Sequence, residues 1–229
     1  MRKPHFPCKI LITAGPTHEH LDPVRFITNS STGTIGYELA RCAQERGHKV
    51  VLISGPSHLE APKGVKTVRV TSARQMKREV DRYFPASQCI ICAAAVSDFR
   101  PARFHAKKNK KTEADTVVRL IKNPDILLSL GRKKKGRILV GFALETDNLL
   151  KNSREKLEKK NLDLIIANKI SLQDSPFGRG RFNYLLIDRQ GRDERNGITK
   201  TALAGIILDR LEKICYVMLY LYILKGGMT

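Results

Sequence analysis

At 229 residues, with 41% hydrophobic and 28% charged positions, the chain is long enough to bury the core of one globular domain and too apolar to be disordered. Its 42 Lys+Arg against 22 Asp+Glu give a formal net charge of +20, which calls for an anionic partner: nucleic acid, a membrane surface or a phosphorylated small molecule. Aromatics at 6% and the absence of Trp argue against a base-stacking platform, so most of this charge reads as a basic solvated surface.

The start, Met1-Arg2-Lys3-Pro4, leads only into the short apolar run Ile10-Leu11-Ile12, with no cleavage site. The expectation is a cytoplasmic protein without an export signal. Short apolar strand candidates then alternate with helical patterns: strands at Lys9–Ala14, Lys49–Ser54, Val65–Val70 and Cys89–Val96, helices at Ile35–Arg46 and Ala73–Phe84. Gly47 is placed to end the first helix, and Ser72 to cap the second. Strands at Val117–Ile121, Ile138–Leu144 and Leu162–Ala167 follow, separated by a helix from Pro124 and another running to Lys160. Asn123-Pro124 has the form of an N-cap followed by proline at the first helical position. Phe182–Asp188 reads as a strand, Gln190-Gly191 as a turn and Thr199–Ile214 as an amphipathic helix.

Near-continuous apolar strands covered by helices predict an α/β fold, Rossmann-like, with a doubly wound and mostly parallel sheet and a small flap or arm. No linker or repeat divides residues 1–229, which are read as a single domain. The apolar stretch from Ile214 to Leu224 is well below the roughly 20 residues of a membrane span. Residues 214–229 are therefore an atypical packing or interface tail.

The five cysteines, Cys8, Cys42, Cys89, Cys92 and Cys215, have no disulfide-framework spacing, which suits a reducing compartment. In a strand, residues an odd number apart face opposite sides, so Cys89 and Cys92 do not form a CxxC site. They read as small buried hydrophobes. The histidines show no metal-ligand spacing, and any metal ligands stay unknown.

The segment Gly15 to Thr32 follows a strand and precedes a helix, and it is far longer than a usual βα loop. Gly15 and Gly33 permit close backbone approach, Ser31 and Thr32 offer hydroxyls, and a helix N-terminus at Thr34 presents free amides to an anion. The pattern favours phosphate or carboxylate binding over a merely structural loop. It lacks both the G-x-G-x-x-G spacing of a dinucleotide fold and the P-loop arrangement. The segments from Ser97, Glu145 and Asn168 also follow strand ends, and all would converge on the carboxyl edge of the sheet, where open α/β folds bind ligands.

ITAGPT at Ile12 to Thr17, DPVRFITN at Asp22 to Asn29, AAAVSD at Ala93 to Asp98, KNKK at Lys108 to Lys111, KNPDIL at Lys122 to Leu127, VGFALET at Val140 to Thr146 and KLEKKNLDLIIAN at Lys156 to Asn168 occur in this order. Together they resemble phosphopantothenate-cysteine ligase, also called phosphopantothenoylcysteine synthetase, from about Lys9 to Lys213. The bacterial form is often fused to a flavin-dependent decarboxylase, and here the resemblance implies a free-standing synthetase without flavin. It implies a ligase of coenzyme A biosynthesis that takes CTP, with Mg2+ as the triphosphate's partner ion, and joins 4'-phosphopantothenate to cysteine. A homodimer is implied as well, with neither nucleic acid nor membrane as a partner.

Carried onto this chain, the resemblance makes Asn29 and Lys108 catalytic. It places Gly15, Arg25, Asn29 and Ala94 at the phosphopantothenate. Ser31, Asp98, Lys108, Pro124, Asp125, Ile126, Leu127, Phe142, Lys156 and Lys160 fall at the nucleotide. From the residues alone, Asn29 is equally a turn-former, Lys108 one of several solvated lysines, and Arg25 either a phosphate clamp or an internal salt bridge. Lys156 and Lys160, spaced i, i+4, share a helix face. Where the family commonly has arginine after the loop asparagine this chain has Ser30, and where it has lysine after the loop glycine it has Thr34. The segment Ser171 to Asn183, with Arg179 and Arg181, is the candidate lid. The alternatives are a Rossmann-like NAD(P)-binding oxidoreductase and a basic nucleic-acid-binding module.

Overall fold

The structure, a computed structural model, describes residues 7–108, 117–170, 177 and 180–224. The chain opens with β1 (Lys9–Ala14), a small ribbon of β2 (Glu19–His20) and β3 (Phe26–Ile27), and α1 (Thr34–Glu45). β4 (Lys49–Ser54), β5 (Lys66–Arg69), α2 (Ala73–Tyr83), a single 3-10 turn and β6 (Cys89–Cys92) follow. A second ribbon joins β7 (Phe99–Pro101) to β8 (Leu120–Lys122), and then come α3 (Ile126–Lys133), β9 (Ile138–Glu145), α4 (Leu149–Lys159) and β10 (Leu164–Lys169). The hairpin β11 (Arg181–Asp188) and β12 (Arg192–Thr199) leads into α5 (Lys200–Leu224).

Eight strands form one sheet in the order β12-β11-β10-β9-β6-β1-β4-β5. From β5 to β10 every neighbour is parallel, and the β11–β12 hairpin adds antiparallel to β10. This is the predicted doubly wound sheet. Alternate residues of the strands enter different cores: Ile10, Ile12 and Cys89 pack beneath α1 and α5, while Leu11, Ile53 and Ile90 pack against Met76 and Val80 of α2, Leu130 of α3 and Leu157 of α4. Burial of both faces is why the central strands are apolar throughout rather than alternating.

Local chemistry explains the boundaries. Ser72 accepts from the Gln75 amide, and Gln75 reaches back to the Ser72 amide, a complete capping box. Gly47, at φ 81°, follows α1 as expected. Four expectations are corrected. The strand from Cys89 ends at Cys92 rather than Val96. The strand read at Val117–Ile121 is β8, which pairs with β7 outside the main sheet. The cap of α3 is Asp125, whose carboxylate accepts from the Leu128 amide, rather than Asn123. The last helix also runs past Ile214 to Leu224. Ile214 and Cys215 pack against the core while Tyr216 and Val217 are exposed, and the side chains beyond Val217 lie outside the described residues. Among the described residues no helix is long and apolar enough to cross a membrane.

Candidate functional site

β1 has β4 on one side and β6 on the other, so the connections leaving β1 and β6 diverge at their carboxyl ends. Such a switch point opens a crevice without any special side chain. A cleft of about 180 Å3 lies there, floored by Thr13 and Cys92 at the ends of β1 and β6. Its walls are Ala94 to Asp98, Asn123 to Leu127, Phe142 of β9, and Lys156 with Lys160 at the end of α4.

Helical spacing brings both α4 lysines to this wall. Lys160 Nζ lies 2.8 Å from an Asp125 carboxylate oxygen, and Lys156 Nζ donates to the Phe142 carbonyl at 3.1 Å. Burial, and then the like charge of Lys160, lower the Lys156 pKa. Burial pushes the Asp125 carboxyl up, but the hydrogen bonds from Lys160 and the Leu128 amide outweigh it and hold the group below the usual carboxylate range. The cleft therefore offers two ammonium groups against two carboxylates, Asp125, which Lys160 engages, and the exposed Asp98, beside the N-terminal end of α3. Lys156 and the helix start suit an anionic group.

Asn123 ties two walls together: its amide group donates to the Ser97 carbonyl at 2.9 Å, and its backbone N–H to the Asp98 carbonyl at 2.7 Å. Ser97 Oγ is buried and has no hydrogen-bond partner among the described residues. A buried hydroxyl on a cleft wall is a polar group for a ligand to satisfy.

The β1–α1 loop packs beside this cleft. Ala95 donates its N–H to the Gly15 carbonyl at 2.9 Å, and its own carbonyl accepts both the Thr17 amide and the Asn29 side-chain amide, the latter at 2.9 Å. Asn29 is thus anchored through Nδ2 to the segment after β6 that carries Ala94. Gly33, at φ 82°, caps α1 without a side-chain bond, leaving the first amides of that helix for an anion. Ser31 Oγ accepts from the Gly33 amide at 3.3 Å. The hydroxyls of Thr32 and Thr34 bond each other at 2.8 Å.

Close backbone approach holds this loop in place. A Cβ on Gly55 would stand 1.8 Å from the Pro16 carbonyl oxygen, an overlap that only backbone movement relieves. Gly55→Ala should therefore displace the Gly15-Pro16 turn and cost about 1–3 kcal/mol. Equilibrium denaturation would read this as a lower midpoint, and an unchanged midpoint would show that the turn yields freely.

The sequence-predicted residues are distributed unevenly around this geometry. Ala94, Asp98, Pro124, Asp125, Ile126, Leu127, Phe142, Lys156 and Lys160 line one cleft. Gly15, Asn29 and Ser31 lie in the adjoining loop. Arg25 binds Asp22 through Nε at 3.0 Å and Nη2 at 2.6 Å, with its side chain 53% exposed and that of Asp22 fully buried. The internal ion pair is formed, with the guanidinium still half-exposed to solvent. Lys108 is exposed and does not line the cleft. Its segment is fastened to the first loop three residues earlier, where the His105 amide donates to the Leu21 carbonyl at 2.9 Å. Lys110, Lys111, Arg179 and most of the candidate lid lie outside the described residues. Sequence reasoning did not name Thr13, Cys92, Val96, Ser97 and Asn123 as site residues; the signals for them were their place within or beside the matched motifs and, for Ser97, its position after a strand end.

Comparison with known proteins adds independent findings. The bifunctional coenzyme A biosynthesis protein CoaBC of Bacillus subtilis is 47% identical over 170 residues, which cover 74% of this chain and 42% of that protein. The CoaBC of Vibrio cholerae is 40% identical over 208 residues, covering 90% of this chain and 52% of its own length. The chain thus spans about half the length of these curated relatives. The crystal structure of the C-terminal domain of a CoaBC protein superposes with a TM-score of 0.79 at 36% identity, covering 91% of this chain and 96% of that one. The family model of the DNA/pantothenate metabolism flavoprotein C-terminal domain matches residues 7–215, and the chain belongs to that family.

Proposed function

We propose that the chain is a phosphopantothenate-cysteine ligase that activates its acid substrate with CTP. The observation that carries this reading is the gathering of AAAVSD, KNPDIL, VGFALET and the α4 lysines, far apart in sequence, into one cleft at the switch point. The names of the relatives and of the 36% identical domain, all coenzyme A biosynthesis proteins, support the same substrate class. Homodimerisation and a cytoplasmic setting belong to the same proposal.

The chemistry asks for positioning rather than a protein nucleophile. The carboxylate of phosphopantothenate attacks the α-phosphate of CTP, forming an acyl-cytidylate as the bond to pyrophosphate breaks. The amine of cysteine then attacks the acyl carbon and CMP leaves. The first step brings two anions together and the second expels one, so fixed positive charge in a site sheltered from water is the main resource. Lys156 and Lys160 supply it on one wall, and the uncapped start of α1 supplies oriented amides near the other. Asn29, neutral and anchored on Ala95, can hold a carboxylate without repelling it.

Mg2+ accompanying the triphosphate would screen its charge while keeping several waters and needing few protein oxygens. Asp98, exposed at the rim, fits that modest requirement, whereas Asp125 is already engaged by Lys160.

The test is product formation from phosphopantothenate and cysteine with CTP or ATP as the only triphosphate. Phosphopantothenoylcysteine and CMP in equal amounts are expected, with CTP preferred. Reduction or oxidation of NAD(P) without any ligation would instead favour the oxidoreductase reading.

A further inference from the structure

Beyond the cleft, at the amino-terminal ends of the central strands, three thiols from distant parts of the chain meet. Cys8 precedes β1, Cys89 opens β6 and Cys215 lies on α5. The Cys215 sulfur is 3.5 Å from that of Cys8 and 3.4 Å from that of Cys89. All three sulfurs fall within 4.8 Å of one another. Cys8 and Cys89 are 7% and 1% exposed, whereas Cys215 is partly open to solvent. None is in a disulfide.

We propose that Cys8, Cys89 and Cys215 form a site for one thiophilic cation, Zn2+ or Cu(I), that fastens the C-terminal helix to the sheet. Three sulfurs from three separate elements, mutually in reach, form a ligand triangle of the kind soft cations select. Metal–sulfur bonds of about 2.3 Å place ligand sulfurs roughly 3.8–4.0 Å apart. The two sides that meet at Cys215 need to open by only a few tenths of an ångström, and the third already lies within 4.8 Å. Cys215, the partly exposed member, gives the route of entry, and Zn2+ would complete its coordination with a water.

Binding exchanges three S–H bonds for three metal–sulfur bonds and releases three protons to solvent, with no change of oxidation state. Contact with Cys8, together with burial, pushes the Cys215 thiol up to about 12. Without a cation the three side chains pack as small apolar groups. A disulfide is the competing use of the same thiols. It requires sulfurs drawn to about 2.05 Å and an oxidant, and it leaves the third thiol over.

The experiment uses the intact chain, reduced and stripped with chelator, then titrated anaerobically against a chromophoric chelator with Zn2+ in one arm and Cu(I) in the other. One equivalent per chain is expected in at least one arm, with a raised melting temperature as the site fills. Cys215→Ser, at a partly exposed position that folding should tolerate, is expected to weaken binding on the order of 100-fold or more. Cys42→Ser, outside the cluster, should leave it unchanged. Absence of stoichiometric binding by the unsubstituted chain in both arms would overturn the proposal. So would full binding by Cys215→Ser, or a disulfide between Cys215 and Cys8 or Cys89 forming in air in a chain that binds neither cation.

Discussion

Lys108→Ala is expected to slow acyl-cytidylate formation by on the order of 100-fold or more. Lys108 opens the KNKK segment and follows by three residues His105, whose amide donates to the Leu21 carbonyl of the first loop. Its exposure and its place outside the cleft lining fit a point charge that swings onto the triphosphate when substrate is present. A charge acts on a transition state only from within hydrogen-bond reach, so Lys110→Ala and Lys111→Ala should be mild. The measurement is single-turnover pyrophosphate release with CTP, Mg2+ and phosphopantothenate in the absence of cysteine. Equal and small losses for all three substitutions would reduce KNKK to a diffuse basic patch. They would leave Lys156 and Lys160 to carry the electrostatic work.

Asn29→Asp should be comparably severe, losing activity on the order of 100-fold. Asn29 Nδ2 donates to the Ala95 carbonyl at 2.9 Å. A carboxylate cannot make that bond, and it would set negative charge against both a carbonyl oxygen and the incoming substrate carboxylate. The side chain is exposed in the ligand-free chain, so the fold should survive, and circular dichroism with a denaturation midpoint would verify this. Repulsion of the substrate carboxylate predicts a raised KM for phosphopantothenate together with a lowered kcat, while the KM for CTP moves little. Near-normal turnover in a folded variant would remove Asn29 from the site.

The sheet was legible because its strands are buried on both faces and therefore read as apolar runs, and because local caps such as Ser72 with Gln75 mark helix starts. β12 escaped notice for the opposite reason. Arg192–Thr199 is a largely exposed, polar edge strand, and its place comes from pairing with β11 rather than from its own pattern. Asn123 and Asp125 are both good capping residues, and sequence alone does not choose between them. Asp125 became the cap while Asn123 turned to the Ser97 carbonyl.

The cleft divides in the same way. Pro124 to Leu127, Lys156 and Lys160 were found through motif resemblance and helical spacing. Thr13, Cys92 and Ser97 line it because β1 and β6 happen to be neighbours, a fact of topology. The facing of Cys89 and Cys92 followed from strand periodicity, since the two pack into different cores. The meeting of Cys89 with Cys8 and Cys215 did not, because those partners lie on elements brought together only by folding.

The two-step account is tested most directly by withholding cysteine. With phosphopantothenate, CTP and Mg2+ alone, the chain should release one pyrophosphate per active site and stop, retaining acyl-cytidylate. Adding cysteine should then release CMP and phosphopantothenoylcysteine together. Pyrophosphate release that requires cysteine, or none with phosphopantothenate and either CTP or ATP, would contradict the account.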